Sequence, residues 1–281
     1  MCSTVKNLEA RVKGCVFMWG CLSSDVSFDI TSYLQSFHRS ATDAGFFSES
    51  MAVIGGYSLP AYTRILDGAP KVYLSSGMHG DEPAGVIAML ELLRSGFFGD
   101  GVEWRICPVI NPTGIAMGLR ENAQGVDLNR DYLKKMTGEV SAHVAWLEKQ
   151  PVPEMFISLH EDWESTGFYL YEIQKKGYPS AARSILNAAA KEILTEPCRF
   201  IDDHQVREPG WIFHEPRADF PDQWPEAIYM AEQGTRVSYT LETPSSIALE
   251  RRVACHMLAV RTAVEEFLLT RGKVNGCNGT A

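Results

Sequence analysis

The chain has 281 residues, 45% hydrophobic and 22% charged, an ordinary globular composition that excludes a disordered or collagen-like polymer and is ample for a sizeable core. Its 26 Lys and Arg against 35 Asp and Glu leave a net charge of −9, which repels phosphate backbones and argues against a general nucleic-acid binder. No stretch approaches the roughly 20 apolar residues that a membrane-spanning helix needs.

Residues 1–26 lack periodicity and read as an N-terminal extension, ahead of one catalytic-sized domain at 27–272 and a short tail at 273–281. Within the extension, Arg11 and Lys13 precede a short apolar run at 15–22 that loosely resembles a displaced signal segment. The run is short, holds two Cys and a Trp, and lacks a clean small-residue cleavage site. Seven cysteines (Cys2, Cys15, Cys21, Cys107, Cys198, Cys255 and Cys277) show no regular framework and no CxxC, so a reducing, cytoplasmic compartment is expected, with export as the alternative.

A helical pattern runs from Phe28 to about Ala44, and a hairpin is expected at 48–54 and 59–65 around Gly55-Gly56. A buried strand at 71–76 leads into a helix from about Pro83 to Ser95, where a first-turn proline has no amide hydrogen to lose. The alternation continues with a strand at 103–110, a long loop to Tyr132, a helix near 139–150, strands at 155–160 and 168–173, and a helix at 180–194. Residues 197–225, rich in Pro, Asp and aromatics, read as loop or lid; a helix near 226–233, a strand at 236–242 and a terminal helix at 246–270 follow. Strands alternating with helices predict an α/β domain, a three-layer sandwich with a mixed, partly parallel sheet. Sites in such sheets collect in loops beyond the strand ends.

The polar residues cluster in those places. His79-Gly-Asp-Glu82 follows one strand and opens a helix; zinc takes imidazole nitrogen and carboxylate oxygen, and a His and Glu three apart at such a turn can converge on one ion. Alone, the spacing equally describes a polar helix cap with Asp81 and Glu82 complementing the helix dipole. A second strand ends in His160, followed by Glu161 and Asp162, and a third ends in Glu242 before Thr-Pro. Three strands each delivering a ligand-type or catalytic-type residue are harder to ascribe to coincidence. Between them lie Asn111-Pro-Thr-Gly114, Arg120 and Gly125-Val-Asp-Leu-Asn-Arg-Asp131, a loop whose Arg120, Asn129 and Arg130 suit bidentate binding of a carboxylate.

In their order along residues 71–243, these pieces resemble the zinc carboxypeptidase family, the carboxypeptidase A-like metallopeptidases. The resemblance implies a carboxypeptidase-like fold in which His79, Glu82 and His160 bind Zn2+ and Arg120 polarises the scissile carbonyl. It also implies that Asn129 and Arg130 hold a terminal carboxylate, that Glu242 is the general base, and that Asp127 supports a zinc-bound histidine. The expected substrate is a small peptide or acyl amino acid with a free carboxylate.

The family's substrate-capping Tyr has no recognisable motif here; Tyr229 and Tyr239 are candidates without an assigned role. Compactness, with no evident inhibitory propeptide, resembles the bacterial murein-peptide amidases. The deacylase branch, aspartoacylase and succinylglutamate desuccinylase, shares an HGxE and an Asp-Leu-Asn-Arg segment and is the alternative. Only 39 residues follow Glu242, expected to be mostly one helix and too few for the small closing domain of many deacylases, so a peptidase is the expectation. A peptide-binding pseudoenzyme would require a missing ligand or base, and none is missing. Asp222, Glu226 and Glu232 could select a basic or diaminopimelate side chain, although exposed decoration is the expectation for them. Trp211, Phe213, Phe220 and Trp224 are enough aromatic surface to wall a site.

Overall fold

The computed structural model describes residues 28–99 and 101–277, so the expected N-terminal extension and its apolar run lie outside the described residues. Helix α1 (Ile30–Asp43) begins at Asp29, whose side chain accepts from the Ser32 amide at 3.0 Å. It buries Ile30, Tyr33, Phe37 and Ala41, positions spaced at the helical repeat. The hairpin β1 (Phe47–Ile54) and β2 (Tyr57–Arg64) turns at Gly55-Gly56, both at positive φ as a tight turn requires.

Strand β3 (Lys71–Ser76) feeds α2 (Pro83–Arg94), and β4 (Glu103–Cys107) feeds the short α3 (Pro112–Met117). A 3-10 turn at Leu128–Arg130, α4 (Gly138–Leu147), β5 (Met155–Asp162), β6 (Tyr169–Gln174) and α5 (Ala182–Ala189) follow. Two-residue strands β7 (Phe200–Ile201) and β8 (His204–Gln205), then β9 (Trp211–Phe213), α6 (Glu226–Glu232), β10 (Val237–Pro244) and α7 (Leu249–Cys277) complete the order. Helix α7 continues past the expected boundary at residue 272. No helix among the described residues is long and apolar enough to cross a membrane.

Eight strands form one sheet in the order β1-β2-β4-β3-β5-β10-β6-β9. Its middle is parallel (β4, β3, β5, β10), while β1, β2 and the β10–β6 pairing are antiparallel. Alternate residues of the strands face opposite layers. Leu74, Ile157 and Leu241 join a core under α1, α2, α5 and α7, whereas Tyr73 and Phe156 join a second core with α4 and Tyr229 and Met230 of α6. The three-layer mixed α/β sandwich expected from the alternation is therefore present.

Two stretches depart from expectation. Residues after β4 were expected to be loop, but Asn111 caps α3 by accepting from the Gly114 amide at 2.8 Å, and Pro112 takes the first helical position. Such a one-turn helix is too short to show periodicity. Residues 197–225 carry β7, β8 and the edge strand β9, too brief for an alternation signal.

The loop after β3 packs directly on α3. The Gly80 amide donates to the Leu119 carbonyl at 2.9 Å, and a Cβ on Gly80 would lie 1.9 Å from the Gly114 carbonyl carbon. Backbone cannot yield as a flexible side chain can, so Gly80→Ala should cost about 3 kcal/mol or more, read as a lowered urea midpoint.

Candidate metal centre and active-site cleft

Parallel pairing puts the C-terminal ends of β3, β5 and β10 on one edge of the sheet, with Glu242 opposite His160 in register. His79 leaves β3 on a short loop that ends at Glu82, the N-cap position of α2. The Glu82 side chain makes no capping bond. Instead its Oε1 lies 2.6 Å from His79 Nδ1 and its Oε2 lies 2.9 Å from His160 Nδ1. The helix amide at Ala84 is satisfied by Glu161 Oε1 at 2.6 Å, so a carboxylate from β5 relieves Glu82 of capping. His79, Glu82 and His160 are all buried, and one ligand atom from each lies within 4.8 Å of the others.

Asp127 fixes the orientation of His79. Its Oδ1 lies 3.2 Å from His79 Nε2 and accepts that nitrogen's proton, so that Nδ1 is the nitrogen turned toward Glu82 and toward any bound cation. Asp127 also accepts from the Asn129 amide at 2.9 Å and from Arg120 Nε and Nη2 at 3.3 and 3.2 Å. The electrostatics favour a cation. Burial pushes His79 down, yet the adjacent Glu82 and Asp127 carboxylates outweigh it and raise the imidazole to about 9. Glu82 itself is held well below the carboxyl range by the two imidazoles despite its burial. Two imidazole nitrogens and a carboxylate around a common point suit zinc in chemistry and in number, with a fourth position left for water or substrate.

This cluster lines a cleft of about 500 Å³ together with Arg120, Asn129, Arg130, Glu226 and Glu242. Burial raises Glu242 well above the usual carboxyl range, and the nearby Glu82, Asp162 and Asp202 add to that. A divalent ion between His79 and His160 would neutralise Glu82 and draw Glu242 back toward the ionised form. Asn129 Oδ1 accepts from the Glu226 amide at 2.9 Å, which turns its Nδ2 donors toward other partners. Arg130 Nη1 donates to the Asn129 carbonyl at 2.9 Å at an exposed position on the rim. All eight expected site residues thus fall around one region: seven line the cleft, and Asp127 stands behind His79.

Other expectations require correction. Exposed Asp222 pairs with Lys134 and Glu232 is exposed, but Glu226 is not surface decoration. It is 1% exposed, accepts from Tyr73 Oη at 2.8 Å and Ser75 Oγ at 2.7 Å, and lies on the cleft wall. Being the first residue of an amphipathic helix, it resembles any acidic first-turn residue in sequence. Behind it, Tyr132 donates to His143 Nδ1 and His143 Nε2 donates to Tyr73, each at 2.7 Å, a chain that ends on Glu226. Burial pushes His143 down to about 3, so the ring is neutral.

Neither candidate capping tyrosine faces the cleft. Tyr229 packs on Tyr132 in the second core, and Tyr239 Oη accepts from the Ala181 amide at 3.0 Å. Tyr169 and Tyr171, from β6, line the cleft instead. Of the four aromatics expected to wall it, only Phe220 does. Trp211 is in the main core, Trp224 packs on the second, and Phe213 is not part of the wall.

Glu226 sets a pH dependence of stability. Burial raises its carboxyl from 4.5 to about 7, so the unfolded chain ionises first as pH rises. The folded state therefore loses stability between about pH 4.5 and 7, by about 3 kcal/mol in total. Glu226→Gln lacks that loss. Its stability relative to the parent, from urea unfolding, should improve by about 3 kcal/mol between pH 4.5 and pH 8, and an unchanged difference would show that Glu226 stays ionised in the fold.

A mixed α/β sandwich with a buried His-Glu-His cluster and a half-buried carboxyl at the strand ends is the arrangement of the carboxypeptidase-like fold. Comparison with known proteins agrees. Residues 68–169 match the profile of the succinylglutamate desuccinylase/aspartoacylase catalytic domain. Murein peptide amidase A of Escherichia coli (strain K12) is 26% identical over 211 residues, covering 66% of this chain and 72% of the relative. A crystal structure of a metallopeptidase candidate from Shewanella amazonensis SB2B superimposes with a TM-score of 0.76 at 24% identity, over 85% of this chain and 93% of that one. Carboxypeptidase A from Helicoverpa armigera shares the fold, with a TM-score of 0.61 at 14% identity over 87% of this chain and 74% of that one. The likeness to the zinc carboxypeptidases and their deacylase branch that the motif order carries is thereby borne out.

Proposed function

We propose that this chain is a zinc-dependent hydrolase that cleaves an amide bond next to a free carboxylate, a metallocarboxypeptidase of small peptides. The observation that carries this reading is the convergence of His79 Nδ1, His160 Nδ1 and Glu82 in one cleft with Glu242 and Arg130. Zinc bound by His79, Glu82 and His160 would supply a Lewis acid that polarises the scissile carbonyl and makes water more acidic. Glu242 takes the proton of the attacking water and returns it to the leaving amine. Arg120, held by Asp127 but half-exposed to the cleft, faces the charge that develops on the carbonyl oxygen. The Asn129 Nδ2 group and the Arg130 guanidinium clamp the substrate's terminal carboxylate. Asp127 keeps His79 in the tautomer a metal needs.

Glu226 narrows the substrate. A buried carboxyl without a cationic partner, on the wall of a cleft, favours a substrate side chain that ends in an ammonium, such as lysine or diaminopimelate. Free thiols at Cys107, Cys198 and Cys255 support a reducing, cytoplasmic setting.

A second reading, an N-acyl amino acid deacylase, is favoured by the match of residues 68–169 to the deacylase catalytic domain. Both readings use the same metal, base and carboxylate clamp and differ on the acyl side. Rates on dipeptides and tripeptides with C-terminal lysine, diaminopimelate or leucine, set beside N-acetyl-aspartate and N-succinyl-glutamate, distinguish them. Preference for the peptides with a basic terminus is the expected result, whereas cleavage of the acyl amino acids with peptides untouched would sink the peptidase reading.

A further inference from the structure

The rim of the cleft holds a second group of metal-type side chains, built from three separate pieces of residues 197–225. His204 opens β8 after a turn in which Asp202 and Asp203 both adopt positive φ. His214 follows β9, its backbone amide tied to the Glu172 carbonyl of β6 at 2.9 Å. Asp219 comes from the loop beyond and is exposed. Its Oδ1 lies 3.3 Å from His204 Nε2 and its Oδ2 lies 3.3 Å from His214 Nε2, and the two imidazole centroids are 4.9 Å apart. Both rings pack edge-on against Tyr171, which limits their rotation.

One bond determines what this geometry means. His214 Nδ1 lies 2.6 Å from the Glu215 carbonyl, which has no proton to give, so Nδ1 carries the hydrogen. In the neutral ring Nε2 is then a lone pair, and it faces a carboxylate oxygen, which is also an acceptor. Two acceptors at 3.3 Å repel unless a cation lies between them, either a proton or a metal ion. A separation of 3.3 Å is also close to the edge of a tetrahedron with metal–ligand bonds of about 2.0–2.1 Å. A carbonyl holding the far nitrogen of a histidine is the usual outer support of a ligating imidazole. The nitrogens and the carboxylate of His204, His214 and Asp219 lie within 4.8 Å of one another, a small closure from coordination, and all three residues line the same cleft as the first site.

We propose that His204, His214 and Asp219 form a second metal site, for zinc or another borderline first-row divalent ion, which fastens the rim of the cleft. Two imidazoles and one carboxylate select such an ion over calcium or magnesium, and the exposure of Asp219 leaves a position open to solvent. Bound there, the ion ties β8, the end of β9 and the following loop into one piece, adding to the short strands and to the small apolar cluster of Ile201, Val206 and Ile212. Protons compete for the same nitrogens, so the ion is released as pH falls.

The test uses the full chain and Zn2+ alone. Protein equilibrated with Zn2+ at pH 7.5 and cleared of free metal should hold two ions per chain by elemental analysis, and His214→Ala and Asp219→Asn should each hold one. His160→Ala should also retain one, which keeps the outcome independent of the proposed catalytic metal, and His160→Ala combined with His214→Ala should retain none. In the His160→Ala background, Zn2+ should slow proteolytic cleavage within residues 200–223 several-fold, and that protection should vanish when Asp219→Asn is added. Asp219 is exposed, so its variant keeps the fold if His214→Ala does not. Equal zinc content in the parent, His214→Ala and Asp219→Asn proteins would overturn the second site, and undiminished protection in the combined variant would overturn its role as a fastener.

Discussion

Glu242→Gln is expected to keep the metal content of the parent and to lose about 10²–10⁴-fold in kcat. The side chain lies opposite His160 on the parallel β5–β10 pair, half-buried at the strand end, where a Gln of the same shape fits without repacking. What Gln cannot do is accept the water's proton. Substrate still meets Asn129 and Arg130, so KM should change little, and the loss falls on the chemical step. Steady-state rates on a peptide known to be cleaved, paired with elemental analysis, check both halves. Unchanged turnover at unchanged metal content would remove Glu242 from the mechanism.

His160→Ala should act differently, removing activity and the metal of the His79–Glu82–His160 cluster together. Two remaining protein ligands hold zinc weakly, and Glu82 Oε2 loses its 2.9 Å partner within a buried site. Leaving that oxygen unpaired costs about 1–3 kcal/mol, so a lower urea midpoint should accompany the loss. Full activity in a variant that has lost this ion would mean that the chemistry does not depend on it.

The sheet and its flanking helices are legible in the sequence because their signals are long. The strand at 71–76 is found with its bounds intact, and the eight expected site residues converge because strand ends in a parallel sheet share an edge. Short elements escape notice. Helix α3 is one turn, and β7, β8 and β9 have two or three residues, fewer than any period needs to repeat. Glu226 stands out in the sequence only as one of three acidic candidates, and Tyr171 not at all, for another reason. Their importance depends on which face of α6 or β6 meets the cleft, and that is fixed by distant residues: Ser75 and Tyr73 for one, Asp202 and the two rim histidines for the other. Glu161 looked like a neighbour of a ligand, yet its contribution is to the amide of a helix 77 residues earlier.

That carboxylate also determines how the protein behaves when stripped of metal. His160 and Glu161 are consecutive on β5 and point to opposite layers, so one strand presents a ligand on one face and holds the start of α2 from the other. Arg252 of α7 pairs with the second oxygen of Glu161 and bolts the strand, the helix carrying Glu82 and the terminal helix together. The proposed coordination sphere is thus a rigid socket assembled by the fold, unlike a small zinc finger that collapses without its ion. Chelation should therefore leave a cooperatively melting protein, and cobalt or another ion of similar size can enter the emptied socket without refolding the chain.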